Sequence, residues 1–215
     1  MALLKSKTKE LPEDAVVLSP QDALKYQMDI VKQWHKTSDV LALRYGPYIL
    51  GTTALLSGIF YNNYFRKKFM LGHLGRLSTY LPISVVPATL TAVLHTELVL
   101  KDIILLKSDQ CPLCLQTRAA ILQVGFSTIF PIIIGPMGCA AVAMRYGTFN
   151  LPYLHEKPKE VFNIFRKMFT KIQTKSMYFM IGQAFLASVV TYYEAKNLFT
   201  ISAELARYDS SSFDE

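Results

Sequence analysis

Four stretches of the chain, residues 45–65, 77–96, 119–144 and 176–193, contain no Asp, Glu, Lys or Arg over 21, 20, 26 and 18 residues. A helix buried on one face of a soluble domain carries charge on the other. A bilayer crossing instead needs about 20 predominantly apolar residues. The pattern therefore predicts four transmembrane helices and excludes a soluble globular enzyme. Continuous runs of this kind argue against a β-barrel, whose strands alternate. Open strands would leave backbone polar groups unsatisfied in lipid. The expected fold is an all-α membrane protein, a bundle of four transmembrane helices with an N-terminal amphipathic helix and a basic amphipathic helix before the fourth span.

The first amphipathic stretch, DALKYQMDIVKQWHK, begins at Asp22, the expected N-cap. Ala23, Tyr26, Ile30 and Trp34 fall in one helical row, with Leu24, Met28 and Val31 beside it and Lys25, Asp29, Lys32 and Lys36 opposite. Two readings stay open: a surface helix packed on the bundle, or an interfacial helix carrying the only Trp of the chain at headgroup level. The second stretch, 160–175, sets Val161, Ile164, Phe165, Met168, Phe169 and Ile172 against Arg166, Lys167, Lys171 and Lys175 and leads into span four. The chain thus divides into a polar N-terminal segment with an amphipathic helix (1–44), a transmembrane domain (45–193) and an acidic polar C-terminal tail (194–215).

Composition sharpens this picture. Only 18% of the 215 residues are charged, against about 25% in an ordinary soluble domain. Loops 66–76 and 145–175 hold 11 basic and 2 acidic residues, whereas the remaining non-spanning segments hold 12 basic and 14 acidic ones. The net charge of +7 therefore flanks hydrophobic spans and points to anionic headgroups rather than nucleic acid. By the positive-inside rule, the two basic loops face the cytoplasm or matrix, and both termini and the Cys loop face the other side. Residues 1–20 show neither the apolar core of a signal peptide nor the acid-poor character of a transit peptide, so targeting information is expected to be internal.

The sequence offers little for catalysis. Cys111-Pro112-Leu113-Cys114 lacks the second ligand pair of a zinc site and the βαβ context of a thioredoxin-like centre. A local disulfide or a pair of structural thiols is the expected reading, with metal or redox chemistry as the alternative. Cys139, inside a span, is expected to pack. His95, Asn62, Asn63, Gln123 and Gln183 are neutral groups in or beside the spans. Ion pathways usually need charged ones, so bonding between helices is expected. In span one, Gly51, Ala54, Ser57 and Gly58 form a small-residue stripe that lets another helix approach, from this bundle or from a partner. No phosphate loop, zinc-protease motif or nucleophile elbow is present. No enzyme activity, cofactor, catalytic residue or metal site is expected.

Gly-Thr-Thr at 51–53, Ser-Gly at 57–58 and Asn62-x-x-Phe65-Arg66, followed by Met144-Arg-Tyr-Gly-Thr-Phe-Asn-Leu-Pro152, resemble the signature elements of the transmembrane protein 126 family. The resemblance spans about 48–193 and includes Arg118 at the entry to span three. It implies a multi-pass mitochondrial inner-membrane protein that assists assembly of the membrane arm of respiratory complex I, binding and shielding intermediates. One family branch works with acyl-CoA dehydrogenase family member 9, the Ecsit scaffold and the complex I intermediate-associated protein; the other is linked to a more distal membrane-arm module. In that setting Arg66, Lys67, Lys68, Arg145 and Tyr146 are expected to dock headgroups or matrix partners. Gly51, Ala54, Ser57, Gly58 and Asn62 are expected at a helix-packing or partner interface. Cys111 and Cys114 would face the oxidising intermembrane space and pair. The rival readings are a small membrane transporter or channel, and a membrane redox protein using the Cys pair.

Overall fold

The computed structural model describes residues 19–105, 111–149, 152 and 158–211, with side chains as far as residue 207. All regular structure among the described residues is helical: α1 (Pro20–Gln33), α2 (Thr37–Lys68), α3 (Arg76–Ile104), α4 (Pro112–Tyr146) and α5 (Pro158–Ser211). By length and composition α3 and α4 can each cross a bilayer, with mean hydropathies of 1.6 and 1.8. The other two charge-free runs lie inside α2 and α5, but lack of charge is not the same as lack of polarity. Thr52, Thr53, Ser57, Asn62 and Asn63 interrupt the first, and Gln183, Ser188 and Thr191 the second.

Local chemistry sets the helix ends. The N-cap of α1 is Ser19 rather than the expected Asp22: the Ser19 hydroxyl accepts the Asp22 N–H at 3.2 Å, and Pro20 occupies the first turn, where an N–H would have no partner. Within α3 and α4, wide turns with i→i+5 bonding occur at Leu81–Val85, Thr96–Leu100 and Gly125–Ile129. Pro87 and Pro131 each follow such a turn by two residues. A helical proline lacks its N–H and crowds the carbonyl four residues back. Those carbonyls belong to Ile83 and Ser127, both inside wide turns, so the extra residue opens the ladder where the ring needs room.

Helix α2 lies at the centre and touches α3, α4 and α5. The small-residue stripe faces α3. A Cβ at Gly51 would lie 3.2 Å from the Ala88 carbonyl oxygen, and one at Gly58 only 2.7 Å from both the Ile83 oxygen and the Ser84 Cα. Ala54, Ser57 and Asn62 are buried along the same helix. Two apolar clusters result. One gathers Leu43, Leu50, Val99, Ile103, Val190 and Ile201; the other gathers Tyr61, Phe65, Phe69, Ile83, Cys139 and Met168.

α1 packs on the first cluster through Leu24, Met28, Val31 and Trp34. Arg44 fastens its end, donating to the carbonyls of Val31, Lys32 and Trp34 at 2.6–3.3 Å, where a helix terminus leaves acceptors free. The expected tail is also corrected. Residues 194–211 continue α5 as helix, and Leu198 and Ile201 are buried because the apolar row of the charge-free run continues through them. The basic amphipathic stretch 160–175 and the charge-free run 176–193 lie on one helix of 54 residues.

Replacing Gly58 by Ala is expected to lower stability by about 1–3 kcal/mol, because the methyl group meets α3 backbone that cannot yield cheaply. Gly182→Ala, where nothing lies within 4 Å of the added carbon, is expected to stabilise α5 by about 0.5–1 kcal/mol. Thermal unfolding of the two purified variants in detergent checks both signs.

Candidate functional site

Three polar clusters cross the bundle at different heights. In the first, His95 of α3 meets Glu194 of α5, its Nε2 lying 3.1 and 3.0 Å from the two carboxylate oxygens. The residues are 1% and 0% exposed. Gly46 of α2 makes room for the carboxylate, since a Cβ there would collide with Oε1. Three helices thus converge on one buried acid–imidazole pair. Such a pair is destabilising unless both partners are present.

The second cluster joins three helices through amides. Gln123 Nε2 of α4 donates to Gln183 Oε1 of α5 at 2.6 Å, and to the Leu50 carbonyl and Thr53 hydroxyl of α2 at 3.2 Å each. This is the interhelical bonding expected of neutral polar groups in spans. It fixes the axial register of α4 and α5 against α2.

The third cluster surrounds Arg66. This residue is expected at a docking surface, yet it is 5% exposed. Nη1 donates to Thr79 Oγ1 at 2.8 Å and to the Gly75 carbonyl at 3.3 Å; Nη2 donates to the carbonyls of Gly72 and Leu74 at 2.9 and 2.8 Å. The guanidinium organises the turn between α2 and α3, whose Met70, Gly72 and Gly75 have φ of 53°, 49° and 57° and whose carbonyls turn inward toward it. Asn62 Nδ2 completes the cluster through Thr79 at 3.4 Å. Arg66 is therefore a structural cation, its guanidinium donors taken up by the turn's carbonyls and Thr79. Lys67, Arg145 and Tyr146 are exposed at the same end, and Lys68 Nζ lies 5.6 Å above the Tyr64 ring. The Thr148 hydroxyl donates to the Phe69 carbonyl at 3.1 Å and ties the two basic segments together.

Cys111 and Cys114 lie at the opposite end, where α4 begins, and both are exposed thiols. Cys111 is the N-cap residue, and its carbonyl accepts the Cys114 N–H at 2.9 Å. Backbone hydrogen bonding from Cys114 holds the Cys111 thiol below its ordinary pKa. Cys139 is buried 3.6 Å from the Asn62 side-chain oxygen. Among the described residues no three His, Cys, Asp or Glu side chains converge as a metal site would require. Glu194 is not among the residues singled out from the sequence, because it falls one residue past a charge-free run. Its signal is the helical row Ala187, Val190, Glu194, Leu198, Ile201, in which a carboxylate takes an apolar position.

Two comparisons with known proteins give one consistent result. The family model described as Transmembrane protein 126 matches residues 25–210. The Drosophila melanogaster protein named Transmembrane protein 126 is 38% identical over 216 residues, covering all of this chain and 96% of that one. No solved structure matches the chain.

Removing one member of the His95–Glu194 pair, as in Glu194→Ala, leaves the other without its hydrogen-bond partner and is expected to destabilise the fold by about 1–3 kcal/mol. Glu194→Gln keeps a hydrogen-bonding group and should lose less; denaturation of the variants in micelles ranks them. Separately, the lowered Cys111 pKa means that its thiolate persists to lower pH than that of an ordinary thiol. The iodoacetamide rate at Cys111, followed by mass spectrometry, should accordingly rise with a midpoint below the ordinary thiol value. Cys114→Ser keeps the backbone N–H and should preserve that midpoint.

Proposed function

The chain belongs to the transmembrane protein 126 family, and from that premise we propose that it is a non-catalytic, four-span factor of the mitochondrial inner membrane that helps assemble the membrane arm of respiratory complex I. It binds and shields hydrophobic assembly intermediates. Its partners in this reading are membrane-arm subunits together with acyl-CoA dehydrogenase family member 9, the Ecsit scaffold and the complex I intermediate-associated protein. Membership of a transmembrane family and the apolar helices α3 and α4 support the membrane setting.

The observation that carries the shielding role is a bare stripe on α5. Tyr178, Phe185, Tyr192 and Phe199 recur every seven residues, and all four are 54–72% exposed. Ile181 lies beside the stripe at 65% exposure, and Gly182 opens onto free space. A seven-residue repeat of large apolar side chains is the spacing at which a second helix packs against the first. A glycine within the stripe lets that helix come close. The stripe stays outside the molecule because α5 spends its other face on α2 and α4. It therefore supports a surface kept for a hydrophobic helix that has not yet found its place in a larger assembly.

Phe185→Ala combined with Tyr192→Ala removes exposed rings and is expected to change folding stability by no more than about 0.5 kcal/mol per site. The same double variant should lose co-migration with membrane-arm intermediates on native gels read by mass spectrometry. Recovery of the unaltered protein without any complex I subunit or assembly factor would sink the proposal. In this reading Lys67, Lys68, Arg145 and Tyr146 face the matrix, and the Cys segment and both termini face the intermembrane space. After treatment with an impermeant phosphine reductant, an impermeant maleimide added to mitochondria with opened outer membranes should label Cys111 and Cys114; protection of the reduced pair until the inner membrane is lysed would reverse the orientation.

A further inference from the structure

Between the second half of α4 and the first third of α5 runs a groove of about 560 Å³, lined by Ile133, Pro136 and Met137 from one helix and Phe162, Phe165 and Phe169 from the other. That volume lies within the roughly 300–1,000 Å³ of small-molecule sites. Arg166 lines the groove and also a smaller adjoining pocket of about 280 Å³, whose other walls are Asn163, Lys167 and Thr170. An apolar trough thus lies beside a polar pocket with two cations, and a single arginine lines both. That juxtaposition is amphiphilic in the way a lipid is.

The height of the pocket agrees. The Tyr64 hydroxyl donates to the Met168 carbonyl at 2.8 Å, so this part of α5 lies level with the end of α2, where its charge-free run gives way to Arg66, Lys67 and Lys68. The two cations of α5 therefore stand level with that cationic end, and the groove follows the apolar α4 past them in both directions. The arginines Arg44, Arg66 and Arg118 donate to acceptors inside the protein. By contrast, among the described residues the Arg166 and Lys167 side chains have no hydrogen-bond or ion-pair partner. Glu160, the acidic residue on this part of α5, is not among the groove or pocket residues.

We propose that groove and pocket together form a site for an anionic glycerophospholipid, one acyl chain lying along α4 and the phosphate seated on Arg166 and Lys167. A guanidinium offers paired donors to phosphate oxygens, and the ammonium adds a point charge. Asn163 and Thr170 can hydrogen-bond the glycerol or headgroup. Any lipid could fill the trough, but only an anionic headgroup balances the two cations, so the site selects by charge. The inference depends on the membrane setting alone and not on a role in complex I assembly.

The test uses the full chain carrying Trp34→Phe and Phe169→Trp, reconstituted into phosphatidylcholine vesicles. Dibrominated phosphatidylglycerol or dibrominated phosphatidylcholine is then titrated in. The anionic lipid is expected to quench the introduced indole with an apparent affinity roughly fivefold or more above the zwitterionic one. Arg166→Gln with Lys167→Gln should bring that ratio close to one. Lys171→Gln with Lys175→Gln, which removes equal charge from the same helix outside the pocket, should leave it unchanged. Equal quenching by the two lipids, a preference surviving the Arg166 and Lys167 changes, or equal loss in both double variants overturns the proposal. Phe162→Trp supplies a second reporter in the same groove if the first fails to fold.

Discussion

A carbon atom added at Gly58 would lie 2.7 Å from both a carbonyl oxygen and a Cα of α3, so these helices meet backbone to backbone and only a glycine fits between them. Close approach of this kind is how helices gain packing contact in lipid, where association lacks the hydrophobic drive available in water. The remainder of the bundle is arranged around that contact. Gly51 repeats it two turns earlier, and Gly46 leaves the space into which Glu194 projects. With α2 and α3 locked, α4 and α5 have a fixed surface to pack against.

Apolar packing alone would tolerate sliding, since one methyl group replaces another with little loss when helices shift along their axes. The buried polar contacts do not. His95 with Glu194, Gln123 with Gln183 and Thr53, and Arg66 with Thr79 and Asn62 lie at three heights, and each has a single register at which its donors meet acceptors. Neutral interhelical hydrogen bonds in membranes average only about 0.6 kcal/mol, so their contribution here is specificity more than strength. The acid–imidazole pair differs, because leaving one partner alone in a dry interior is strongly unfavourable. It therefore fixes the α3–α5 pairing more firmly than the amide layer fixes α4.

Much of this was legible in the residues. Charge-free runs located the helices, small residues marked the α2–α3 contact, and Gln123 and Gln183 fell where neutral polar groups bond between helices. What escaped has physical causes. Three consecutive cations, Arg66, Lys67 and Lys68, look alike in composition, yet a helix turns each by 100° and only Arg66 points inward, in line with Asn62 and Phe69. Glu194 reads as the start of a polar tail because its charge ends the run, although the apolar row continues past it. The Asp22 cap failed for a more local reason: Ser19 followed by Pro20 is the stronger start signal. The wide turns ahead of Pro87 and Pro131 could be expected only as kinks, since sequence shows that a proline must be accommodated but not how the ladder opens around it.

The face of α2 that meets α3 bears Gly51, Ser57, Gly58 and Asn62, a surface that hydrocarbon solvates poorly. Alone in a bilayer, that helix would have neither lipid nor water suited to it. Its proper solvent is α3, the next segment of the same chain, connected through the short turn at 69–75 that Arg66 holds closed. The unit in which that face is covered is consequently the hairpin and not the single helix. In chain order α3 follows α2 directly, ahead of α4 and α5, so the partner of that face is also its nearest neighbour in sequence.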